Sequence, residues 1–334
     1  MPRASQRCPF TMIAFHYVRE RSSEFPLIKG KLPQEFEGQL DYLLSHYKVI
    51  DMKEVCDAIQ KNRDLPENAC LLTFDDGLID HYQTVYPALV RRRITGSFYP
   101  IAATLSGRIV LDVHKIHQIL ARNHDATVIK DKLLQILNRC RRKYPIPEEE
   151  ELLARHAKPY NFDGADTGFI KRLLQTALPR EIRHEITAEL YSHFVGGDEK
   201  TRAEELYLSK AMIKEMIANG MFFGGHGYRH EWLGHLPRTE QENEIKQTAA
   251  FLEDIYGTPQ NHWVMAYPYG SYNADTLDLL PQHGCRVGLA SGFDLSTVNP
   301  PLEIKRLDTN DFPVSGDAPF SPWTLKARSQ GAPR

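Results

Sequence analysis

The sequence predicts an α/β protein built on a parallel sheet, open or closed into a barrel, and three observations carry that expectation. Short apolar runs alternate with amphipathic helical stretches along most of the chain, the pattern of βαβ units. One run, Cys70 to Phe74, is strand-length and shows no polar face, as a strand covered on both sides requires. Several runs end abruptly in polar clusters, most clearly at Asp75-Asp76-Gly77 and at Gly224-Gly225-His226.

Taken in order, Phe10 to Phe15 is the first strand and runs into His16-Tyr17-Val18-Arg19. Pro33 opens a helix with Phe36, Leu40, Leu43, Leu44 and Tyr47 on one face at nearly helical spacing. Val49-Ile50 is a short strand, Lys53 to Asn62 a helix, and Cys70 to Phe74 the strand delivering the two aspartates. A helix from Ile79 to Arg92 and a strand from Ser97 to Pro100 follow. Over residues 105–205 the rhythm changes to helical patterns such as Val113 to Ala121 and Lys130 to Lys143, which reads as a helical insertion within a single domain, 1–334. Alternation resumes with the helix Leu208 to Ala218, the strand Met221 to Phe223 and the helix Thr239 to Tyr256. Trp263 to Tyr267, Arg286 to Ala290 and Ile304 to Leu307 are the last strands, with a helix at Ala274 to Leu280. The tail after Pro313 is rich in Pro and Ser and is expected to be irregular.

The charge balance excludes some classes of partner. With 41 basic and 43 acidic side chains the net charge is −2, which leaves no basic footprint for nucleic acid and no bias toward a membrane surface. Five widely spaced cysteines with no Cys-x-x-Cys pair argue against a disulfide framework or a zinc ribbon. The apolar run Phe10 to Phe15 is too short for a signal-peptide core, and nothing approaches a membrane span. A cytoplasmic protein without an integral membrane segment is expected.

The polar strand ends suggest the chemistry. Asp75 and Asp76 point to opposite sides of a strand unless it ends there, and two adjacent carboxylates are costly unless solvated, paired or bound to metal. Alone, they also fit the cap of the following helix. His226 and His230 stand four residues apart, which on a helical turn puts two imidazoles on one side, a spacing suited to one metal ion. Two histidines and one carboxylate leave open positions on a divalent ion, and a second carboxylate beside the first can act as base toward a water there.

Thr73-Phe74-Asp75-Asp76-Gly77 followed by His226-Gly227-Tyr228-Arg229-His230 resembles the polysaccharide deacetylase family. The resemblance implies a distorted (β/α) barrel of about seven parallel strands, with Asp75 as general base and Asp76, His226 and His230 as ligands of one divalent ion. Zinc is the first choice for that mixed N/O set, with cobalt or iron also compatible. Ala266-Tyr267-Pro268-Tyr269-Gly270 resembles the family's third motif, Arg-x-Pro-Phe/Tyr, in which the backbone N–H of the aromatic, here Tyr269, helps form the oxyanion hole. Three positions depart from the pattern. Gly227 stands where Ser or Thr usually follows the first metal histidine, Ala266 stands where the third motif has Arg, and the late Leu-x-His motif is absent, since the last histidine is His283.

Two residues are expected to fill those gaps. His16, at the end of the first strand, replaces the late histidine as general acid. Arg306, on the last strand and next to the first if the sheet closes, supplies the guanidinium that Ala266 does not. The function expected is removal of an N-acetyl or other small N-acyl group from an amino sugar in surface polysaccharide or O-antigen biosynthesis. The expected substrate is a small sugar nucleotide or a short lipid-linked amino sugar. The alternatives are an O-acetyl esterase of a glycan and a non-catalytic glycan-binding relative. The insertion follows a strand end and is expected to stand over the active-site face, where Asp112, His114, Lys115 and His117 form a solvated helix face or meet a charged or amidated sugar.

Overall fold

The computed structural model describes residues 9–122, 125–159 and 163–331. It divides into two compact units, of which the first takes residues 9–19, Gly30–Arg108 and 204–331. The second takes Glu20–Lys29 and Ile109–Ala203.

The first unit is built on eight strands: β1 (Thr11–Phe15), β2 (Lys48–Val49), β3 (Ala69–Asp76), β4 (Ser97–Pro100), β5 (Phe222–Phe223), β6 (Trp263–Ala266), β7 (Cys285–Ser291) and β8 (Ile304–Asp308). Seven run in the order β5-β4-β3-β1-β8-β7-β6, with β2 beside β3 off that path. Every pairing is parallel. The two ends of the path meet through one parallel bridge between Gly225, just after β5, and Met265 of β6. Gly225 N–H donates to Val264 O and Ala266 N–H to Gly225 O, each at 2.9 Å. The result is the distorted barrel of seven parallel strands that the family resemblance implied. All eight expected strands are present, with ends shifted by a residue or two, where hydrogen bonding and not hydropathy decides the boundary.

β3, β4 and β6 are buried along their whole length, and the two faces of the sheet are covered for different reasons. Facing the helices, Phe15, Phe74, Phe98 and Phe223 stand in register on β1, β3, β4 and β5. Their rings stack with centroids 5.1, 4.9 and 5.3 Å apart. Such cross-strand aromatic pairs fix which residues face outward, because a slip of one residue would turn every Phe inward. Facing inward, Met12, Leu71, Val264, Val287, Leu289 and Ile304 form a second core with Met52, Val55 and Ala58 of the helix Met52–Gln60. That helix follows β2, which pairs with the first residues of β3, so it packs at the end of the barrel where the strands begin. Asp51 starts it by accepting the N–H of Glu54, whose carboxylate accepts the N–H of Asp51. The other end of the barrel carries Thr73, Asp75, Asp76 and Arg306, all buried.

The tail does not stay irregular. Pro322–Gly331 is a helix. Thr324 receives the hydroxyl of Tyr47 and lies within hydrogen-bonding distance of the Tyr42 hydroxyl, each at 2.8 Å. These contacts with the first helix stabilise a segment whose composition alone argues for coil. In the second unit the helices Asp112–Ala121, Ala126–Cys140, Ala165–Arg172 and Arg180–Phe194 bury a core of their own. Residues Glu20–Lys29 join that core through Phe25, and Glu24 is held by Arg122 and Arg202, at 3.2 and 2.7 Å. Nothing in its sequence marks this stretch as part of a helical unit. Among the described residues no helix is long and apolar enough to cross a membrane. Cys56, Cys70, Cys140 and Cys285 are free thiols, and Cys8 lies outside the described residues.

Candidate active site

The site gathers where the strands end. Asp75 and Asp76 close β3, where Asp76 takes a left-handed backbone (φ +74°) that terminates the strand. The histidines come from the loop after β5. Gly224 and Gly225 precede them because nothing larger fits: a Cβ at Gly224 would stand 2.5 Å from the Tyr99 ring, and one at Gly225 would stand 2.2 Å from Thr248 Cγ2.

The spacing of His226 and His230 does not arise from a helical turn, as the sequence reading had it. Both lie in an irregular loop with left-handed backbone at Gly227 (φ +73°) and His230 (φ +60°), and that path brings the two imidazoles together. Their Nε2 atoms are 3.2 Å apart, and Asp76 Oδ1 is 3.5 Å from the first and 3.6 Å from the second. All three residues are buried. Among the described residues they form the one group of three His, Cys, Asp or Glu side chains gathered closely enough to hold an ion. Bonds of about 2.0–2.1 Å in a tetrahedral set place neighbouring donors about 3.3 Å apart, so these spacings fit three corners of such a site. The tautomer fits as well. His226 Nδ1 lies 2.8 Å from Ala266 O, and since a carbonyl can only accept, the proton is on Nδ1 and the lone pair of Nε2 faces the other donors.

Asp75 is 2% exposed and in the grip of Arg306. Arg306 Nη1 donates to Oδ1 and Nη2 to Oδ2, each at 2.7 Å, and Nη1 also donates to Thr73 Oγ1 at 3.1 Å. The Thr73 hydroxyl passes its own proton to Ile13 O. Burial pushes the Asp75 carboxyl up, but the Arg306 charge and hydrogen bonds, with His226 and His16 adding, hold it at about 2. The guanidinium that pairs with Asp75 thus comes from β8.

His16 follows β1, and its Nε2 is 3.9 Å from Asp75 Oδ2, with nearly half of its side chain open to solvent. Its backbone is tied down: His81 Nε2 donates to His16 O at 3.0 Å, and Asp80 accepts the Val18 N–H and both arms of the Arg19 guanidinium. Tyr269 has a left-handed backbone (φ +57°), with its ring 4.5 Å from that of His230 and stacked on Trp232 at 4.3 Å. Asp76, His230 and Tyr269 are thus three side-chain-bearing residues in a conformation L-residues avoid, gathered at one place, as happens where a site over-determines its backbone.

Sequence reasoning missed Asp80, His81, Trp232 and Glu244. Glu244, on the helix Arg238–Tyr256, accepts the N–H groups of Tyr228 at 2.9 Å and Arg229 at 3.0 Å. A signal for it existed. Gln241, Glu244, Thr248 and Leu252 recur on one face with Ile245 and Ile255, so a carboxylate sits on the helix's buried stripe.

Comparison with known proteins agrees with this geometry. Residues 183–288 match the family model described as polysaccharide deacetylase, a segment that holds His226, His230 and Tyr269 and excludes Asp75, Asp76 and Arg306. No curated protein sequence matches the chain. The fold is that of IcaB from Ammonifex degensii, with 18% identity and a TM-score of 0.57 over 98% of this chain and 99% of that one. It is shared with the Streptococcus pyogenes deacetylase PplD, at 16% identity and a TM-score of 0.56 over 97% and 99% of the chains. A de-N-acetylase from Aggregatibacter actinomycetemcomitans matches at 17% identity and a TM-score of 0.51 over 95% and 98%. The family resemblance read from the motifs is borne out over residues 183–288, the stretch that the polysaccharide deacetylase model matches. Proteins of that family are carbohydrate deacetylases, hydrolases acting on amide C–N bonds.

Proposed function

We propose that this protein removes an N-acetyl or other small N-acyl group from an amino sugar, using a divalent ion held by Asp76, His226 and His230. The observation that carries the reading is the pairing of a three-donor cluster with a separate carboxylate, Asp75, that Arg306 keeps ionised beside it. A binding module has no use for the second carboxylate. When bound, a divalent ion polarises the acyl carbonyl and acidifies a water, and zinc is the first candidate for this donor set.

The chain's own groups divide the remaining work. Ala266 O holds the His226 proton on Nδ1 and keeps Nε2 turned to the ion. Asp75 takes the proton of the attacking water on a lone pair that Arg306 leaves open. A carboxylate held near pKa 2 is a weak base, so this division depends on the water being made acidic first. His16, close to Asp75 and open to solvent, delivers a proton to the departing nitrogen. The Tyr269 backbone N–H faces the charge that develops on the carbonyl oxygen.

For the substrate we take an amino sugar of a surface-polysaccharide precursor, presented as a sugar nucleotide or a short lipid-linked intermediate in the cytoplasm. The free thiols among the described residues support that compartment, and the names of the structural relatives, a deacetylase and a de-N-acetylase, support amide cleavage. Acetate or formate release from nucleotide-linked and short lipid-linked N-acyl amino sugars, measured against chitin-like and xylan polymers, tests the reading. Faster release from the polymers overturns the substrate class, and release from O-acetylated glycans alone overturns the amide chemistry.

A further inference from the structure

We infer that Glu244 is a positioning residue of the metal site, a buried carboxylate that fixes the loop between the two histidines without touching ion or substrate. The inference rests on the reading of Asp76, His226 and His230 as metal ligands.

Glu244 is 5% exposed. One of its oxygens, Oε2, accepts two consecutive backbone N–H groups, those of Tyr228 and Arg229, in the middle of the span that separates the ligands. The carbonyl edge of the same span is held from the other side, by Ala102 N–H on Gly227 O at 3.1 Å and Ala103 N–H on Tyr228 O at 2.8 Å. The loop belongs to no helix or strand, so its amides have no ladder to join. Its left-handed turns at Gly227 and His230 persist only if the surroundings dictate them.

Position 227 explains why the oxygen comes from a helix. The family resemblance leads one to expect a hydroxyl side chain there. In this chain φ is +73°, and an added Cβ would stand 3.2 Å from Pro268 Cγ and 3.5 Å from Glu244 Oε2. The carboxylate thus stands against the place a side chain at 227 would occupy, and it brings an acceptor oxygen to the loop from the helix Arg238–Tyr256. Fixing the loop fixes the distance between two Nε2 atoms that must meet one ion, which is how partners beyond the ligands govern metal affinity.

The test compares full-length wild type with Glu244→Gln, whose amide oxygen still accepts, and Glu244→Leu, which keeps the bulk and cannot. Leu is expected to weaken Co²⁺ binding by about 10–100-fold and to alter the d–d absorption of the bound ion, and Gln to stay within a few-fold with an unchanged spectrum. Wild-type affinity and spectrum in a Glu244→Leu protein that melts cooperatively overturn the inference. Amide hydrogen exchange on metal-free wild type gives a second reading that needs no variant. Slow exchange at Tyr228 and Arg229 is expected, and exchange at the rate of an open loop overturns the inference. Wild type that binds no divalent ion while protecting those amides would instead sink the metal-hydrolase reading.

Discussion

The Arg306 guanidinium closes on both oxygens of Asp75 at 2.7 Å, although β8 and β3 are separated in the sheet by β1. A planar fork makes that two-point contact and an ammonium does not. Arg306→Lys is therefore expected to show much of the effect of Arg306→Met, and Met to destabilise the fold by about 3–5 kcal/mol, because it leaves a buried carboxylate unpaired. The sign of the pH effect follows from burial and charge. With the guanidinium gone, desolvation is left to push Asp75 upward from about 2, so the acid limb of kcat/KM moves to higher pH. A profile superimposable on wild type excludes the pairing as the control on Asp75.

Part of this pair was legible through the family resemblance, whose third motif has an arginine where this chain has Ala266. Ala266 announces a missing guanidinium, and an arginine on the strand that closes beside the first is the natural substitute. The strand with two buried faces was also legible, because it needs no polar alternation and Cys70 to Phe74 has none. The histidine loop was not. Its four-residue spacing looks helical, and only the left-handed backbone at Gly227 and His230 reveals another path, for which a sequence gives no sign unless glycine stands at both. Glu20–Lys29 was missed for a different reason: its place in the second core depends on Glu24 meeting Arg122 and Arg202, far away in sequence.

Asp75→Asn should keep the ion and lose turnover. The amide is nearly isosteric with the carboxylate, and removing a general base typically costs about 10²–10⁴ in rate. Metal content by elemental analysis, read beside acyl release, separates the roles. Loss of the ion in this variant would make Asp75 a ligand.

His226→Ala removes one of three donors and exposes the Ala266 carbonyl that had received its Nδ1–H. Metal content near one per chain in wild type should fall sharply in this variant and in Asp76→Ala. Equal content in wild type and variant would place the ion elsewhere.

His16→Ala is expected to flatten the basic limb of the pH–rate profile with bound metal unchanged, since its ring is half open and 3.9 Å from Asp75. A full bell-shaped profile in the variant rules out His16 as the acid. Activated substrates whose leaving groups need no proton should lose less than amides do.

Asp163, in the second unit, sets a pH dependence of stability. Lys29 Nζ and Lys171 Nζ meet its two oxygens at 2.5 and 2.6 Å. Burial pushes the carboxyl up, and the hydrogen bonds and charges of the two lysines more than offset it, so it ionises below its usual range. Because the folded value is depressed, the stabilisation is full above the unfolded value of about 4 and disappears as pH falls below it. Asp163→Asn should lower Tm at pH 7 and lower it less at pH 3. An equal deficit at both would show that charge is not what the site contributes.

The single bridge that closes the barrel lies beside the proposed metal ligands. Gly225 makes both hydrogen bonds of that joint, the next residue is His226, and Ala266, which orients His226, adjoins Gly225's partner Met265. Asp76 on β3 and His226 at the joint come from opposite sides of β4, so as proposed ligands of one ion they would tie the ring together beside its single bridge. On the proposed metal reading, an ion bound to the closed ring would favour that form by mass action, and its removal would let the ring open there first.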